Sequence, residues 1–447
     1  MAKDKLTDYD STTASNNTDI GGVSIAEGML PSNVNNSMRE LTKQLGAFAD
    51  GTDGVDVLKL QDDTDTNSIK LQAPSSVTAN TTFTLPDGDG TADQVLKTDG
   101  SGQLGFADRH PNPSLIINGA MTIDQRNGGS SITPTDGQYS VDRWRCGLNQ
   151  ASKFTIQQST VTPDDFLNSL LLTSSSAYTI GASDLFLIEQ RVEGLNSSQL
   201  NWGTSSAKSI TLSFWVRSSL TGTFGGSVRN SDNTRSYPFS YTISSANTFE
   251  YKSVTISGDT SGTWLTTNGV GLQITFGLGV GSSLSGTAGA WAGTAYLSAT
   301  GATSLVGTSG ATLYITGVKL EVGSTATDFV HRSYGEELAL CQRYYEEWGG
   351  ELGYQPFGYL EGTGTVGFCV LQFTEKRDAP TVTVSDPAHF HSVRSSIAFT
   401  AMSFSQPVTT HVICTISRST NNWPSGEIFS WRANNSTAAR IYFNAEL

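Results

Sequence analysis

Residues 210–217 read Ile-Thr-Leu-Ser-Phe-Trp-Val-Arg, and their alternation predicts a β protein. Ile, Leu, Phe and Val occupy every second position and alternate with Thr, Ser, Trp and Arg, which is the two-residue period of a strand with one buried face. Residues 271–278 repeat the pattern as Gly-Leu-Gln-Ile-Thr-Phe-Gly-Leu. Strands of this kind, separated by turns rich in Gly and Ser, predict a β-sandwich over residues 112–333.

The sandwich segment closes with a strand whose alternation slips by one residue. Leu313 and Ile315 share one face, whereas the apolar residues from Val318 onward fall in the opposite phase. The slip coincides with Gly317, and glycine inside a strand often marks an extra residue that one strand accommodates by bulging. We therefore predict a β-bulge at Gly317.

The composition restricts the class of protein. The chain has 447 residues and a mass of 47.5 kDa, which is enough for several domains. Charged residues make up only 15% and the formal net charge is −14, which argues against a helical enzyme rich in Glu, Lys and Leu. No cluster of Lys and Arg is present in the sequence for contacts to phosphates, so we expect no nucleic-acid partner.

Targeting and redox features indicate a protein made in a cytoplasm. No stretch reaches the roughly 20 apolar residues of a membrane span, so we expect no membrane insertion. The first residues lack the apolar core of a signal peptide. The four cysteines lie far apart in sequence and form no Cys-x-x-Cys motif, so we expect reduced core residues. If the protein acts outside a cell, it must leave by another route.

A helix is predicted within residues 1–50, after Pro31-Ser32-Asn33, whose polar side chains suit an N-cap. The apolar residues of this helix follow the 4-3-4-3 spacing of a heptad seam: Val34, Met38, Leu41, Leu45 and Phe48. Two heptads are too short to be stable alone. The seam therefore predicts either a short parallel coiled coil that joins subunits or one amphipathic helix packed on its own domain.

Residues 51–111 have the strand-and-turn pattern but few large side chains. Val, Leu, Ile and Phe occur singly among Asp-Gly, Asp-Asp and Gly-Ser turns. So few apolar anchors cannot close a monomeric core over this length, whereas three chains around one axis could. We predict a trimeric β stalk here, which in turn favours the trimeric coiled coil for the preceding helix.

Residues 334–447 form the last predicted unit. A second helix is expected over about 335–348, with Glu336 and Glu337 in its first turn, where the helix dipole favours acidic side chains. Alternating strands follow, and the last one runs to Leu447. We expect a small C-terminal β domain whose final residues are built into a sheet.

The sequence carries no convincing catalytic motif. It lacks HExxH, P-loop and GxSxG patterns. His389 and His391 would share a strand face, where they could bind a metal at a trimer axis or form a polar face or intersubunit contact. We expect no enzyme activity, no metal and no cofactor.

Carboxylates give no specific sign of glycosidase chemistry. Among 41 acidic residues a pair at the required separation can always be proposed, so such a pair carries no information. Glu189 and Glu193 flank Arg191 on one strand face, which predicts an ion-pair ladder along the sheet rather than an active site.

Three tryptophans in turn-like sequences are the candidate ligand-binding residues. Exposed indoles can stack on the C–H faces of sugars, and loop residues are exposed more often than strand residues. Each indole could instead fold back and plug the core. The three residues are Trp264, Trp291 and Trp423.

Several stretches resemble a known family. Residues 16–22 (Asn-Asn-Thr-Asp-Ile-Gly-Gly) and 25–41 resemble the virion-attachment end of bacteriophage tail fibres, notably those of marine phages. Residues 84–100, from Thr-Leu-Pro-Asp-Gly to Lys-Thr-Asp-Gly, look like the short β unit of fibre stalks, and residues 335–345, 433–437 and 443–447 resemble fibre ends. These patches, with those below, cover most of the chain.

The sandwich segment carries a second resemblance. Residues 118–121 (Asn-Gly-Ala-Met), 142–144 (Asp-Arg-Trp) and 212–216 (Leu-Ser-Phe-Trp-Val) are similar to jelly-roll modules related to carbohydrate-binding modules. Residues 316–323 would be their closing strand. No binding motif of these modules can be transferred, because ligand loops vary most.

The resemblance implies a virion protein that acts outside the cell after synthesis in the cytoplasm of a bacterial host. It implies a homotrimer whose N-terminal segment docks on other phage tail proteins and whose distal modules bind a host surface glycan or outer-membrane receptor, with avidity from several tethered copies. Release by lysis fits the missing export signal. Two alternatives stay open: a structural tail connector or decoration protein without receptor binding, and a polysaccharide depolymerase spike.

Overall fold

The structure is a computed structural model, which describes residues 19–20, 23–24, 30–49, 57–61, 68–72, 82–88, 90, 94–108, 113–349, 354–361, 365–393, 397–419, 428–433 and 436–447. It divides into two compact units, Met1–Arg109 and His110–Leu447. Strands dominate the described residues, which confirms the mainly β fold class. The finer division at residues 51, 112 and 334 stays a prediction.

The described residues of the first unit form one helix and three antiparallel hairpins. Its elements in chain order are β1 (Asp19–Ile20), β2 (Val23–Ser24), α1 (Pro31–Ala49), β3 (Val57–Gln61), β4 (Ser68–Gln72), β5 (Gln94–Thr98) and β6 (Leu104–Asp108). Each hairpin joins consecutive strands. The predicted helix is confirmed, but it begins at Pro31, where a missing N–H costs nothing. Ser32 and Asn33 therefore lie in its first turn, and the prediction that they form the N-cap is wrong.

The second unit begins with a β-sandwich of two five-stranded sheets. Its elements are β7 (Arg145–Leu148), β8 (Phe154–Ser159), β9 (Ser169–Ser174), β10 (Leu185–Glu193), α2 (Gly194–Ser197), β11 (Ile210–Ser218), β12 (Gly222–Arg229), β13 (Ser236–Ile243), β14 (Glu250–Ile256), β15 (Val270–Val280), β16 (Ser285–Gly286), β17 (Ser298–Ala299) and β18 (Thr312–Val322). One sheet has the order β13-β12-β15-β10-β7 and the other β14-β11-β18-β9-β8.

The alternating runs form the inner faces of this sandwich, as predicted. The side chains of Leu212 and Phe214 in β11, and of Ile274 and Phe276 in β15, are fully buried in one continuous core. Phe214 packs edge-to-face on Phe276, with ring centroids 5.0 Å apart. Burial of such side chains contributes roughly 1.5–3 kcal/mol each, so these rows hold the two sheets together.

The predicted β-bulge in β18 is also confirmed. The register between β11 and β18 shifts between Ser213 and Trp215, opposite Gly317. Gly317 has φ of +60°, a left-handed conformation that glycine adopts without strain. A Cβ atom at this position would lie 2.7 Å from the ring of Phe166, so the bulge needs glycine for two independent reasons.

The C-terminal part of this unit begins with α3 (Tyr334–Gln342). The strands described in this part are β19 (Tyr345–Gly349), β20 (Tyr354–Glu361), β21 (Val366–Gln372), β22 (Thr381–Val384), β23 (Phe390–Ser392), β24 (Ala401–Ser405), β25 (His411–Ser417), β26 (Ile428–Ala433) and β27 (Arg440–Asn444). They form a three-stranded sheet, β19-β27-β22, and a six-stranded sheet, β23-β26-β20-β21-β25-β24. All four cysteines are buried and free, as predicted, and Cys369 lies opposite Cys414.

The second helix is shorter than the sequence predicts. Ser333 and Glu336 form a reciprocal capping box that starts it, but it ends at Gln342 instead of continuing to residue 348. Residues 345–349 instead pair with β27, and Trp348 packs on Phe443 at 4.8 Å between ring centroids. Pairing with a distant strand overrides the local helical spacing.

The last strand is also shorter than predicted, since β27 ends at Asn444. The three residues after it are nevertheless held by other contacts. The Ala445 amide donates to the Tyr344 carbonyl at 2.8 Å, and the Leu447 carbonyl accepts from Arg191 at 2.8 Å. Within the described residues, no helix is both long and apolar enough to cross a membrane.

Candidate functional site

The seam of α1 is exposed in the single chain. Val34, Met38 and Leu45 keep 46%, 64% and 50% of their surface exposed, and Leu41 is half-buried. The side chain of Phe48 lies outside the described residues. An exposed row of large apolar side chains at heptad spacing marks a surface suited to association with other helices.

Two of the three candidate tryptophans belong to one aromatic cluster. Trp264 and Trp291 pack edge-to-face on Trp202, with ring centroids 4.6 and 5.3 Å apart, and on each other at 5.6 Å. Trp202 is buried, whereas Trp264 and Trp291 are half-buried at the edge of the sandwich core. The rings of the cluster therefore pack on one another, while two of them remain partly exposed to solvent.

Hydrogen bonds fix the loop indoles in this cluster. Trp291 Nε1 donates to the Ser257 carbonyl at 2.8 Å, and Trp264 Nε1 donates to the Ser261 carbonyl at 3.1 Å. Both polar atoms are thereby satisfied within the protein. Trp423 lies outside the described residues. The ligand-binding role of all three tryptophans stays a prediction.

The outer face of the sheet β13-β12-β15-β10-β7 carries a polar site that sequence patterns indicated only in part. Since side chains alternate along a strand, the buried residues of β10 and β15 leave Glu189, Arg191 and Gln273 on the outer side. The register places Arg145 opposite Glu189, and Arg229 opposite Gln273. Five polar side chains from four adjacent strands thus meet on one face.

Glu189 is the centre of this group, with 2% of its side chain exposed. Arg145 Nη1 and Arg191 Nε donate to its Oε1 at 2.6 and 3.0 Å, and Arg229 Nη2 donates to Oε2 at 3.3 Å. The predicted ion pair between Glu189 and Arg191 is confirmed. Glu193, four residues after Glu189, pairs with Arg343 and not with Arg191, so the predicted ion-pair ladder does not continue along β10.

The three arginines border an open cavity of about 320 Å³. Arg229 also donates from Nη1 to Asn233 Oδ1 at 2.6 Å and from Nη2 to Gln273 Oε1 at 3.1 Å. We call this cavity the arginine pocket, formed by Arg145, Glu189, Arg191, Arg229, Asn233 and Gln273. Aliphatic side chains complete its wall: Leu185, Leu187, Val270 and Leu297.

A loop segment covers the other half of the same sheet face and leaves the arginine pocket open. Thr275 Oγ1 donates to the Leu297 carbonyl at 3.0 Å, and β17 follows directly. The segment can approach so closely because Gly225 and Gly277 lie beneath it, where a Cβ would come 2.5 and 2.9 Å from Ser298 Oγ. The open polar surface of this sheet face is thus limited to the half that contains the arginine pocket.

The positive charges in the pocket act on one another. Burial lowers the pKa of Arg229 below its usual range; Glu189 opposes this shift, while the charges of Arg191 and Arg145 add to it. In addition, Arg229 Nε is buried and has no hydrogen-bond partner among the described residues. Arg229 is therefore a buried cation with one unpaired donor.

The outer face of the six-stranded C-terminal sheet is a second exposed surface, and it is apolar. Phe357 and Ile428 are 75% and 76% exposed, and Tyr359 stacks on Phe368 at 5.6 Å between ring centroids. A shallow groove of about 680 Å³ runs between these side chains. Contiguous exposed apolar side chains of this kind mark interaction surfaces.

The two histidines do not share a strand face, so that prediction is wrong. Pro387 starts a short 3-10 helix that includes His389, and the strand begins only at Phe390. His391 is buried, and its Nε2 accepts from Arg432 Nε at 3.0 Å. No group of three or more ligating side chains suited to a metal occurs among the described residues.

No protein-family model and no curated protein matches this chain. Its structure is similar over 47% of its length to the enzymatically active domain of tailspike protein 4 from bacteriophage CBA120, at 14% identity and a TM-score of 0.27, a match that spans 21% of that chain. It is similar over 45% of its length to the family 11 carbohydrate-binding module of a Clostridium thermocellum cellulosomal cellulase, at 11% identity and a TM-score of 0.22, covering 99% of that module. A third match, over 48% of the chain, is the CBM22-1 xylan-binding domain from Paenibacillus barcinonensis, at 6% identity and a TM-score of 0.23, covering 98% of that domain.

Proposed function

We propose that this chain is the receptor-binding protein of a phage tail fibre and that it attaches the virion to a glycan on the surface of a bacterial host. The arginine pocket is the observation that carries the proposal. It is open, it is about 320 Å³ in volume, and it combines guanidinium and amide groups with an aliphatic wall. Sugars offer the matching surfaces, since hydroxyls bind polar side chains and C–H faces contact apolar ones.

The tryptophan cluster supplies further candidate contacts close to this pocket. Asn230, in the turn between β12 and β13, accepts from Gln273 Nε2 at 3.2 Å and donates from Nδ2 to the Thr263 carbonyl at 3.2 Å. Thr263 directly precedes Trp264 in the chain. The half-exposed indoles of Trp264 and Trp291 are proposed to stack on sugar rings that extend beyond the pocket. Trp423, which lies outside the described residues, is proposed as a further sugar-binding residue.

Weak single sites suffice if several copies bind together. We propose a homotrimer joined through the α1 seam and the stalk, with the N-terminal segment docked on another tail protein. Tethering three sites raises the effective concentration of the second and third, so avidity can exceed the affinity of one site by roughly 10²–10⁴. The exposed seam side chains support this arrangement, because they are unburied in one chain.

Cell binding tests the proposal directly. Fluorescently labelled full chain, added to a panel of bacterial strains, is expected to label particular strains and to be displaced by surface polysaccharide purified from a labelled strain. Labelling that polysaccharide does not displace would contradict a glycan receptor and favour an outer-membrane protein. The absence of labelling on every strain susceptible to the phage would contradict receptor binding altogether.

The apolar face of the C-terminal sheet favours a second candidate function. Phe357, Tyr359 and Ile428 are exposed there without charged neighbours among the residues that line the groove. A structural connector would bury this face against another virion protein. In that case the full chain would incorporate into virions but label no host cell, and its Phe357→Ser variant would fail to incorporate.

A further inference from the structure

The arginine pocket carries more positive charge than its own carboxylates neutralise. Three guanidiniums converge on Glu189, and the only other charged residue that lines the described part of the pocket is Asp136. Asp136 Oδ1 already accepts from the Leu148 amide at 3.0 Å. Three positive and two negative side chains leave an excess of one positive charge, in a chain whose formal net charge is −14.

Part of this charge is poorly solvated, which makes a ligand anion favourable. Arg229 keeps 9% of its side-chain surface exposed, and its Nε has no hydrogen-bond partner among the described residues. Buried charges and buried donors cost free energy unless they are paired. Arg191 Nη1 also donates to the Leu447 backbone oxygen at 2.8 Å. Arg145 and Arg191 nevertheless retain 20% and 25% exposure and line the cavity, so the rest of each guanidinium is accessible from it.

The remaining lining fits a sugar better than a free inorganic anion. Asn233 and Ser231 offer amide and hydroxyl groups, whereas Leu187 and Leu297 offer aliphatic surface. An inorganic anion would use the guanidiniums alone. A sugar acid would use all three kinds of surface, because it carries a carboxylate, several hydroxyls and an apolar C–H face.

We propose that the arginine pocket binds a glycan residue that carries a carboxylate, with Arg145 and Arg191 as the partners of that carboxylate. This inference rests on the proposed glycan binding and names the class of sugar. Planar guanidinium groups recognise carboxylates through paired hydrogen bonds, so the site selects acidic over neutral sugars. Amide and hydroxyl contacts then orient the ring.

The test compares each acidic probe with its own neutral form. Oligogalacturonate and alginate oligosaccharides are titrated into the full chain by calorimetry, and the same oligosaccharides are titrated after chemical reduction of their carboxyls to alcohols. We expect at least one acidic probe to bind and its reduced form to bind at least tenfold more weakly. Raised salt concentration should weaken the acidic probe selectively. Equal affinity for the two forms, or binding of the reduced form alone, overturns the inference.

Variants locate the site on the protein. Arg145→Gln and Arg191→Gln should each weaken binding of the acidic probe at least tenfold, and Arg145→Lys should restore part of the loss. Arg440→Gln is the matched control, because Arg440 pairs with Glu347 on another sheet and is similarly exposed. Thermal unfolding of each variant verifies folding. Unchanged affinity in both pocket variants overturns the assignment of the pocket.

Cell binding separates the two proposals. If the full chain labels host cells but binds no acidic probe, and if Arg191→Gln labels those cells as strongly as wild type, the acidic-sugar inference is overturned while the proposed function stands. If neither cells nor any oligosaccharide is bound, both fall together. A sulfated oligosaccharide that binds as well as the carboxylated ones, with the same loss in Arg145→Gln, would overturn selectivity for carboxylates.

Discussion

Arg343 holds Glu193 through two parallel hydrogen bonds, Nε to Oε2 at 2.9 Å and Nη2 to Oε1 at 2.7 Å. Glu193 is the last residue of β10, and its side chain is fully buried. Arg343 directly follows α3, and Tyr344 donates from its hydroxyl to the same carboxylate at 2.7 Å. The pair therefore ties the sandwich to the C-terminal strands within one compact unit.

The first prediction concerns the pH dependence of this pair. Burial alone would raise the pKa of Glu193, but hydrogen bonds from Arg343 and Tyr344 outweigh it and hold the pKa below its usual value. Because the pKa is depressed in the folded state, the stabilisation is present above the unfolded-state pKa of about 4.3 and is lost as the pH falls through the folded-state value.

We expect Glu193→Gln to lower the free energy of unfolding by about 1.5–3 kcal/mol at pH 6. The difference from wild type should shrink as the pH falls through the folded-state pKa of Glu193, since the wild-type carboxylate becomes protonated there. Urea unfolding at several pH values measures both effects. Lys252→Ala breaks an ion pair between neighbours on the rim of β14 and serves as the control, with an expected loss below about 1 kcal/mol. A pH-independent difference would contradict the role assigned to the Glu193 charge.

The sequence predicts the sandwich better than it predicts the pocket, and the reason is the range of the interactions. The local alternation of apolar and polar residues around Leu212 and Ile274 predicts that these side chains are buried. The change of phase at Gly317 likewise predicts the bulge. The pocket depends on Arg145 and Arg229, which lie 44 and 40 residues from Glu189 and reach it only through strand register. No local pattern encodes that register.

Long-range contacts also explain why the predicted length of the second helix is wrong and why the sequence did not predict that the tryptophans form a cluster. Trp348 has helical spacing from preceding residues, but it lies in a strand because β27 provides a partner about 90 residues later. Trp264 and Trp291 read as separate loop residues, although both pack on Trp202. In each case a tertiary contact decides the structure, and single-sequence patterns report only neighbours along the chain.

The second prediction concerns Gly317. Gly317→Ala should destabilise the second unit by more than the roughly 1–2 kcal/mol that a left-handed alanine costs, because the new methyl group would also meet the Phe166 ring. Gly301→Ala is the control: Gly301 has φ of +78°, with open space around its missing Cβ, so it isolates the conformational cost. The midpoint of thermal unfolding measures both. Equal losses in the two variants would show that the bulge tolerates a side chain.

The third prediction concerns the loop indoles. Trp264→Ala should weaken binding to the host polysaccharide about tenfold, equivalent to about 1.4 kcal/mol, if the exposed part of the indole stacks on a sugar. It should also lower the unfolding temperature, because contacts to Trp202 and Trp291 are lost. Trp215→Ala is the control, since Trp215 is half-buried on the other sheet, against Tyr251. Lower stability with unchanged affinity would assign Trp264 to packing alone.

The fourth prediction concerns catalysis. We expect prolonged incubation of the full chain with polysaccharide from a bound strain to release no new reducing ends, in contrast to a depolymerase spike. A reducing-sugar assay with a polysaccharide lyase or hydrolase as the positive control measures this. Product that accumulates with time, and that disappears in a carboxylate variant such as Glu189→Gln, would instead identify the arginine pocket as an active site.

The last prediction concerns the α1 seam, whose exposed side chains can be changed with little effect on the fold of a single chain. Met38 keeps 64% of its surface exposed in the single chain, so Met38→Glu should cost an isolated helix little. Three such glutamates around a shared axis would repel one another without solvent to separate them, so the substitution should dissociate a trimer.

Light scattering should give three times the 47.5 kDa chain mass for wild type and a lower mass for Met38→Glu. Asn36→Glu, which places the same charge at an exposed position off the seam, should leave the mass unchanged. A wild-type mass of one chain would contradict the trimer. An undiminished mass in Met38→Glu would move the trimer contact away from the seam, to the stalk or to the apolar face that contains Phe357.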